Sequence, residues 1–156
     1  MITIELPGNK TIYAKYLVLD YNGTIAIDGY LIPDIEKVLI SLSQKINIYV
    51  ITSNTFGTAV ENLKNINCQY LIITGKNHQR QKLQFIKKLG PRKTIAIGNG
   101  LNDAKMLHKA ALGIAIIQKE GAAPKAIMKA DILCNNIFDA LDLLINPIRI
   151  TATIRK

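Results

Sequence analysis

Four short polar segments follow runs of aliphatic residues, and their side chains are of the kinds that move phosphoryl groups. They are Asp20-Tyr21-Asn22-Gly23-Thr24 after Tyr16 to Leu19, Thr52-Ser53-Asn54 after Asn47 to Ile51, Lys82 in the stretch after Tyr70 to Thr74, and Asn99-Gly100-Leu101-Asn102-Asp103 after Thr94 to Gly98. An aspartate that ends a buried strand before a Gly-Thr turn suits an anionic nucleophile or metal ligand, with the N–H groups of Gly23 and Thr24 cradling a phosphate. A hydroxyl from Thr52 and an ammonium from Lys82 would neutralise the equatorial phosphate oxygens, and Asp103 would hold a divalent cation beside them. Ser53 rivals Thr52 as the hydroxyl, and Lys76, six residues before Lys82, rivals it as the cation. Each residue also has a plainer use: Asp20 as a turn residue, Asp103 as the cap of a helix over 104–111, Asn99 and Asn102 as loop stabilisers between glycines.

The elements that must hold these groups alternate regularly. Core strands are expected at Tyr16 to Asp20, Asn47 to Ile51, Tyr70 to Thr74, Thr94 to Gly98, Leu112 to Ile116 and Asp131 to Cys134, each aliphatic enough for burial on both faces. Between them lie stripes of helical spacing: Ile35, Val38, Leu39 and Leu42 after Pro33 at a first helical position; Val60 and Leu63 after Thr55; Leu83, Ile86 and Leu89 after Gln79; Ile137, Leu141 and Leu144 after Asn136. Lys82 is expected to open its helix. Ile2 to Leu6 and Thr11 to Ala14 flank Pro7-Gly8-Asn9-Lys10 and predict an antiparallel hairpin. The pattern is that of an α/β, Rossmann-like three-layer sandwich with a central parallel sheet, in which ligands bind beyond the carboxyl ends of the strands. With 156 residues and no linker-like tract, one domain spanning 1–156 is expected.

With these segments in this order, the chain resembles the haloacid dehalogenase superfamily, and within it the phosphorylation domain of P-type ATPases. Asp20-Tyr21-Asn22-Gly23-Thr24 stands against their Asp-Lys-Thr-Gly-Thr and Thr52-Ser53-Asn54 against their Thr-Gly-Asp. Lys82 stands for their lysine before a helix, and Gly98-Asn99-Gly100-Leu101-Asn102-Asp103 for their Gly-Asp-Gly-x-Asn-Asp. The resemblance covers roughly residues 16 to 144 and implies a phosphatase or phosphotransferase that forms an aspartyl phosphate on Asp20. It implies Mg2+ held by Asp20, the backbone carbonyl of Asn22, Asn99 and Asp103. Phosphate would be held by Gly23, Thr24, Ser53 and Asn54, with Gly98, Gly100 and Asn102 in support. About thirty residues separate Asp20 from Thr52, and again Thr52 from Lys82, too few for a cap domain or the pumps' nucleotide-binding insertion.

Three asparagines depart from the family pattern. Asn22 stands where most phosphatases of the superfamily place a second aspartate as general acid and base, Asn99 replaces a metal-ligating carboxylate, and Asn54 replaces the aspartate of Thr-Gly-Asp. They leave a second reading open, a non-catalytic phosphate-binding or regulatory module.

Charge bounds the partners. The net charge is +9, and no acidic residue falls between Glu61 and Asp103, where Lys64, Lys76, Arg80, Lys82, Lys87, Lys88, Arg92 and Lys93 all fall. That surface would steer phosphorylated metabolites, nucleic acid or acidic proteins, or is simply a solvated helix face, and the substrate expected is a phosphorylated small molecule or a phosphoprotein. Nucleic acid ranks last, since Phe85 alone interleaves aromatically with the stretch. No apolar run nears the ~20 residues of a membrane span. Met1 to Lys10 has no basic start followed by an apolar stretch, so a soluble, cytoplasmic protein is expected. A homo-oligomer would cover an otherwise open site. Cys68 and Cys134 are expected as reduced packing residues, and His78 and His108 as surface residues.

Overall fold

The computed structural model describes residues 1–8, 11–53 and 57–155. In chain order the elements are β1 (Ile2–Ile4), β2 (Ile12–Ala14), β3 (Tyr16–Asp20), β4 (Ala26–Ile27), β5 (Tyr30–Leu31), α1 (Ile35–Ser43), β6 (Asn47–Thr52), α2 (Ala59–Leu63) and β7 (Gln69–Ile72). There follow α3 (His78–Leu89), β8 (Thr94–Gly98), α4 (Ala104–Lys109), β9 (Leu112–Ile116), α5 (Pro124–Ile127), β10 (Ile132–Cys134), α6 (Ile137–Ile145) and α7 (Ile148–Ile154). Six strands form one wholly parallel sheet in the order β10-β9-β8-β3-β6-β7. The chain starts in the middle, runs outward to β7, returns to β8 and runs outward the other way. Its connections therefore diverge between β3 and β8, and such a switch point leaves a crevice at the strands' carboxyl ends.

Both faces of the sheet are covered. Leu17 and Leu19 of β3 belong to a core with Ile35, Leu39 and Leu42 of α1 and Ile137, Leu141 and Leu144 of α6. Val18, pointing the other way as strand alternation requires, packs with Ile86 of α3 and Met106 and Leu107 of α4. The β1–β2 hairpin adds Ile2, Ile4, Ile12 and Ala14 to the first core. The turn expected at Pro7 to Lys10 lies partly outside the described residues.

Several boundaries differ from the sequence reading. Pro33 is not the first helical residue, because Asp34 intervenes in left-handed backbone (φ 65°) and α1 starts at Ile35. Thr55 lies outside the described residues, and Val60 is exposed, the buried face of α2 being Ala59 and Leu63 at i, i+4. β7 begins and ends earlier than expected, at Gln69 and Ile72, and β10 starts at Ile132. Lys82 lies within α3, a turn past its start at His78 and on the buried face with Ile86. All other cations of the acid-free stretch are exposed. Phe85 packs edge-on against Tyr49, ring centroids 5.3 Å apart, so it is not presented for base stacking. No helix among the described residues is long and apolar enough to cross a membrane. Cys68 and Cys134 are both free thiols. Between β3 and β6 the insertion is only the β4–β5 ribbon and α1.

Candidate active site

Asp20 ends β3 and Asn99 follows β8, so the switch point puts them on either side of one crevice. An open pocket of about 280 Å³ there is lined by Asp20, Asn22, Thr52, Ser53, Lys82, Asn99, Gly100, Asn102 and Glu120. A larger cleft, about 720 Å³ and lined by Ile12, Pro91, Lys93 and Lys109 among others, lies at the amino ends of the strands. No carboxylate lines it.

At the floor of the pocket lies a buried ion triad. Lys82 Nζ donates to Asp20 Oδ1 at 2.5 Å and to Asp103 Oδ1 at 2.6 Å, and both Lys82 and Asp103 are fully buried. Burial pushes the Asp20 carboxyl up, to about 7, and the charge of Asp103 adds to the rise, while Lys82 and its hydrogen bond oppose it. Burial alone would lower the Lys82 ammonium, but Asp20 and Asp103 outweigh it and hold the lysine protonated. Lys76, the rival cation, is exposed.

The role expected of Asp103 changes. Its Oδ1 accepts from Lys82 and its Oδ2 from the N–H groups of Asn99 (3.1 Å) and Gly100 (2.8 Å), so both oxygens are occupied by protein donors. Asp103 thus fixes Lys82 and the β8 loop, and it does not line the pocket. Gly98 is required for this approach, since a Cβ there would stand 2.6 Å from the Asp103 carboxylate. The carboxylate anchors its own loop's N–H groups as it enters the helical turn at Leu101–Asp103, a cap role alongside the ion pair.

The Gly-Thr turn also differs from expectation. Gly23 N–H donates to Ala26 O at 2.7 Å and Thr24 N–H to Tyr21 O at 3.2 Å, so neither is left to cradle a phosphate. The Thr24 hydroxyl, wholly buried, donates to Asn99 Oδ1 at 3.3 Å. Asn99 Nδ2 donates to Gly121 O at 2.9 Å, which fixes how the amide faces. Gly23 adopts φ 75° and lets Asn99 pass so closely that a Cβ would stand 2.3 Å from Nδ2. Gly23 and Thr24 therefore position Asn99 from behind the pocket. Thr52, buried at the end of β6, and the partly exposed Ser53 both line the pocket. Asn54 lies outside the described residues.

Two residues escaped the sequence reading. Gln118 Nε2 donates to Gly23 O (2.9 Å) and Thr24 O (2.7 Å), locking the turn after β3 to the loop after β9. Glu120, on that same loop, reaches the pocket wall and accepts at Oε1 from Asp28 N–H of the β4–β5 turn at 3.0 Å. The rule that function follows strand ends applied to Leu112 to Ile116 as well, and was the available signal.

Oxygen donors dominate this wall. Asn22 Oδ1 is buried without a hydrogen-bond partner, a costly state for an acceptor unless a ligand meets it. With the Asp20 carboxylate and Asn99 Oδ1 it makes a hard-oxygen set of the kind Mg2+ takes, so the residues present fit the ion. Among the described residues no group of three or more His, Cys, Asp or Glu side chains is placed to hold a metal ion, so this set rests on one carboxylate and two amide oxygens.

Comparison with known proteins agrees with this fold. A family model described as haloacid dehalogenase-like hydrolase matches residues 5–111. Over 74 residues, 47% of this chain and 80% of the relative, the sequence is 51% identical to the uncharacterized protein MJ0073 of Methanocaldococcus jannaschii. The backbone is similar to that of 3-deoxy-D-manno-octulosonate 8-phosphate phosphatase from Moraxella catarrhalis, solved in complex with a magnesium ion, a phosphate ion and a KDO molecule. The TM-score there is 0.69 and the identity 17%, over 90% of each chain. It is also similar to a phosphoserine phosphatase in apo form, with TM-score 0.68 and 14% identity over 84% of this chain and 99% of that one. At such identities the likeness concerns the fold.

Proposed function

The chain belongs to the haloacid dehalogenase-like hydrolase family, and on that premise we propose that it is a Mg2+-dependent phosphatase of phosphorylated small molecules, with Asp20 as nucleophile. The observation that carries the reading is Asp20 itself: a carboxylate at the switch point, ion-paired to a buried lysine and facing an open pocket of oxygen donors. An Asp20 oxygen attacks phosphorus as the bond to the leaving oxygen breaks, giving an aspartyl phosphate and a free alcohol or acid. Water then attacks the same phosphorus, the bond to Asp20 breaks, and phosphate leaves. Lys82, oriented by Asp103, holds Asp20 in place and offsets charge at the transferred group. Thr52 or Ser53 donates to a phosphate oxygen. Asp20, the oxygens of Asn22 and Asn99 would hold Mg2+, which supplies positive charge to the phosphate oxygens when bound. The Asn22 amide can neither give up nor take a proton near neutral pH, so substrates with good leaving groups should react best.

Phosphate release from aryl, acyl and sugar phosphates, with and without Mg2+, tests this. Expected is Mg2+-dependent release, faster from aryl and acyl phosphates. Melting with Mg2+ and beryllium fluoride, a mimic of phosphorylated aspartate, should show a raised midpoint by mass action. Protection without turnover would favour the binding-module reading, and the absence of both effects would overturn the assignment of the pocket.

A further inference from the structure

Hydrolysis of an unactivated phosphate ester needs a group that protonates the leaving oxygen and then takes a proton from water. The pocket offers few candidates. Asn22 and Asn99 are amides, and Lys82 is a cation held protonated between two carboxylates. Asp20 is the nucleophile, and Asp103 is inaccessible with both oxygens taken. No histidine lines the pocket. Glu120 does, and it is exposed to solvent.

Its placement is built rather than incidental. The loop after β9 is pinned by the Gln118 amide to the carbonyls of Gly23 and Thr24, by Gly121 O to Asn99 Nδ2, and by Ala123 N–H to Asn99 O at 2.8 Å. Glu120 lies between those anchors. Its own Oε1 is oriented by Asp28 N–H, while Oε2 accepts nothing from the described residues. The loop thus ties both replaced positions, the turn holding Asn22 and the amide of Asn99, to one carboxylate at the pocket wall.

Resting on the phosphatase reading, we infer that Glu120 is the proton carrier of this enzyme, in place of the side chain at position 22. Protonated Glu120 gives its proton to the leaving oxygen as that oxygen's bond to phosphorus breaks. The resulting carboxylate takes a proton from the water that attacks the phosphorus on Asp20, which returns Glu120 to the acid and releases phosphate. The sum is ester plus water to alcohol plus phosphate.

Glu120→Gln keeps an acceptor for Asp28 N–H and removes the proton. With saturating Mg2+, kcat/KM is measured for an alkyl phosphate and for p-nitrophenyl phosphate, whose leaving group needs little protonation. Expected is a loss on the order of 10²-fold with the alkyl ester and little change with the aryl ester, within the range of general acid–base catalysis. Asn22→Asp in the Glu120→Gln background should recover part of the alkyl activity. Equal losses on both substrates, or no loss on either, would overturn the proton role while the phosphatase reading stands. A wild-type protein that hydrolyses neither compound would overturn that reading and this inference with it. Melting of both variants separates these results from misfolding.

Discussion

At the carboxyl end of the sheet Asp20, Lys82 and Asp103 are buried against one another, whereas at the amino-terminal hairpin burial is wholly aliphatic. There Ile2, Ile4, Ile12 and Ala14 face the core, and Thr3 and Tyr13 face outward. The hairpin is held by removing apolar surface from water, about 0.8 kcal/mol per buried CH2. In the ion triad the balance differs by partner: at Asp20 burial and the charge of Asp103 outweigh the attraction of Lys82 and raise the carboxyl, whereas at Lys82 the two carboxylates outweigh burial. One end therefore spends its side chains on stability and the other on chemistry, so matched substitutions should separate the two properties.

The largest effect is expected from Lys82→Met, which leaves two buried carboxylates facing each other. Removing one partner of a buried pair costs about 3–5 kcal/mol. Loss of a charge-stabilising donor costs about 10²–10³ in kcat. Urea denaturation and phosphate release measure both, and a variant with wild-type turnover would break the contrast. Ile4→Ala, fully buried at the end of β1, should cost about 2–5 kcal/mol and leave kcat unchanged.

Asp20→Asn sharpens the comparison because its sign is opposite: without metal it should stabilise the protein. The folded-state pKa of Asp20, about 7, lies above the ordinary 3.8, so its contribution to stability is present below pH 4 and is lost as pH rises through 7. Asparagine titrates nothing, so the variant's advantage should grow between pH 4 and 7 and level off above. One pKa unit is about 1.4 kcal/mol, which bounds the gain at a few kcal/mol. Melting in chelator across that range checks it, and an advantage that shrinks with rising pH would contradict the argument. The smallest effect, about 0.5–1 kcal/mol, is expected from Thr151→Val, which removes the 2.6 Å bond from the α7 hydroxyl to Glu5 O.

The same contrast explains what the sequence made legible. Tyr16–Asp20, Thr94–Gly98 and Leu112–Ile116 are strands to the residue, because unbroken aliphatic runs between polar ends leave no other burial. The site's strand-end positions followed from the sheet they imply. Which atoms meet did not follow, since it depends on contacts across the switch point. The Thr24 hydroxyl lies on Asn99, 75 positions away, and Asp103 closes on Lys82, 21 positions away. Residue types gave Thr24 and Asp103 to phosphate and metal, and geometry gives them to positioning. Glu120 belongs to no motif and enters only because Gln118 and Gly121 fasten its loop to the turn after β3 and to Asn99.

The most direct test of the account is to find where a phosphoryl group comes to rest. The protein would be incubated with Mg2+ and radiolabelled acetyl phosphate, quenched in acid and mapped by peptide. One hydroxylamine-labile label is expected, on Asp20, and none in Asp20→Asn. A label on any other residue, or one retained by Asp20→Asn, would contradict it.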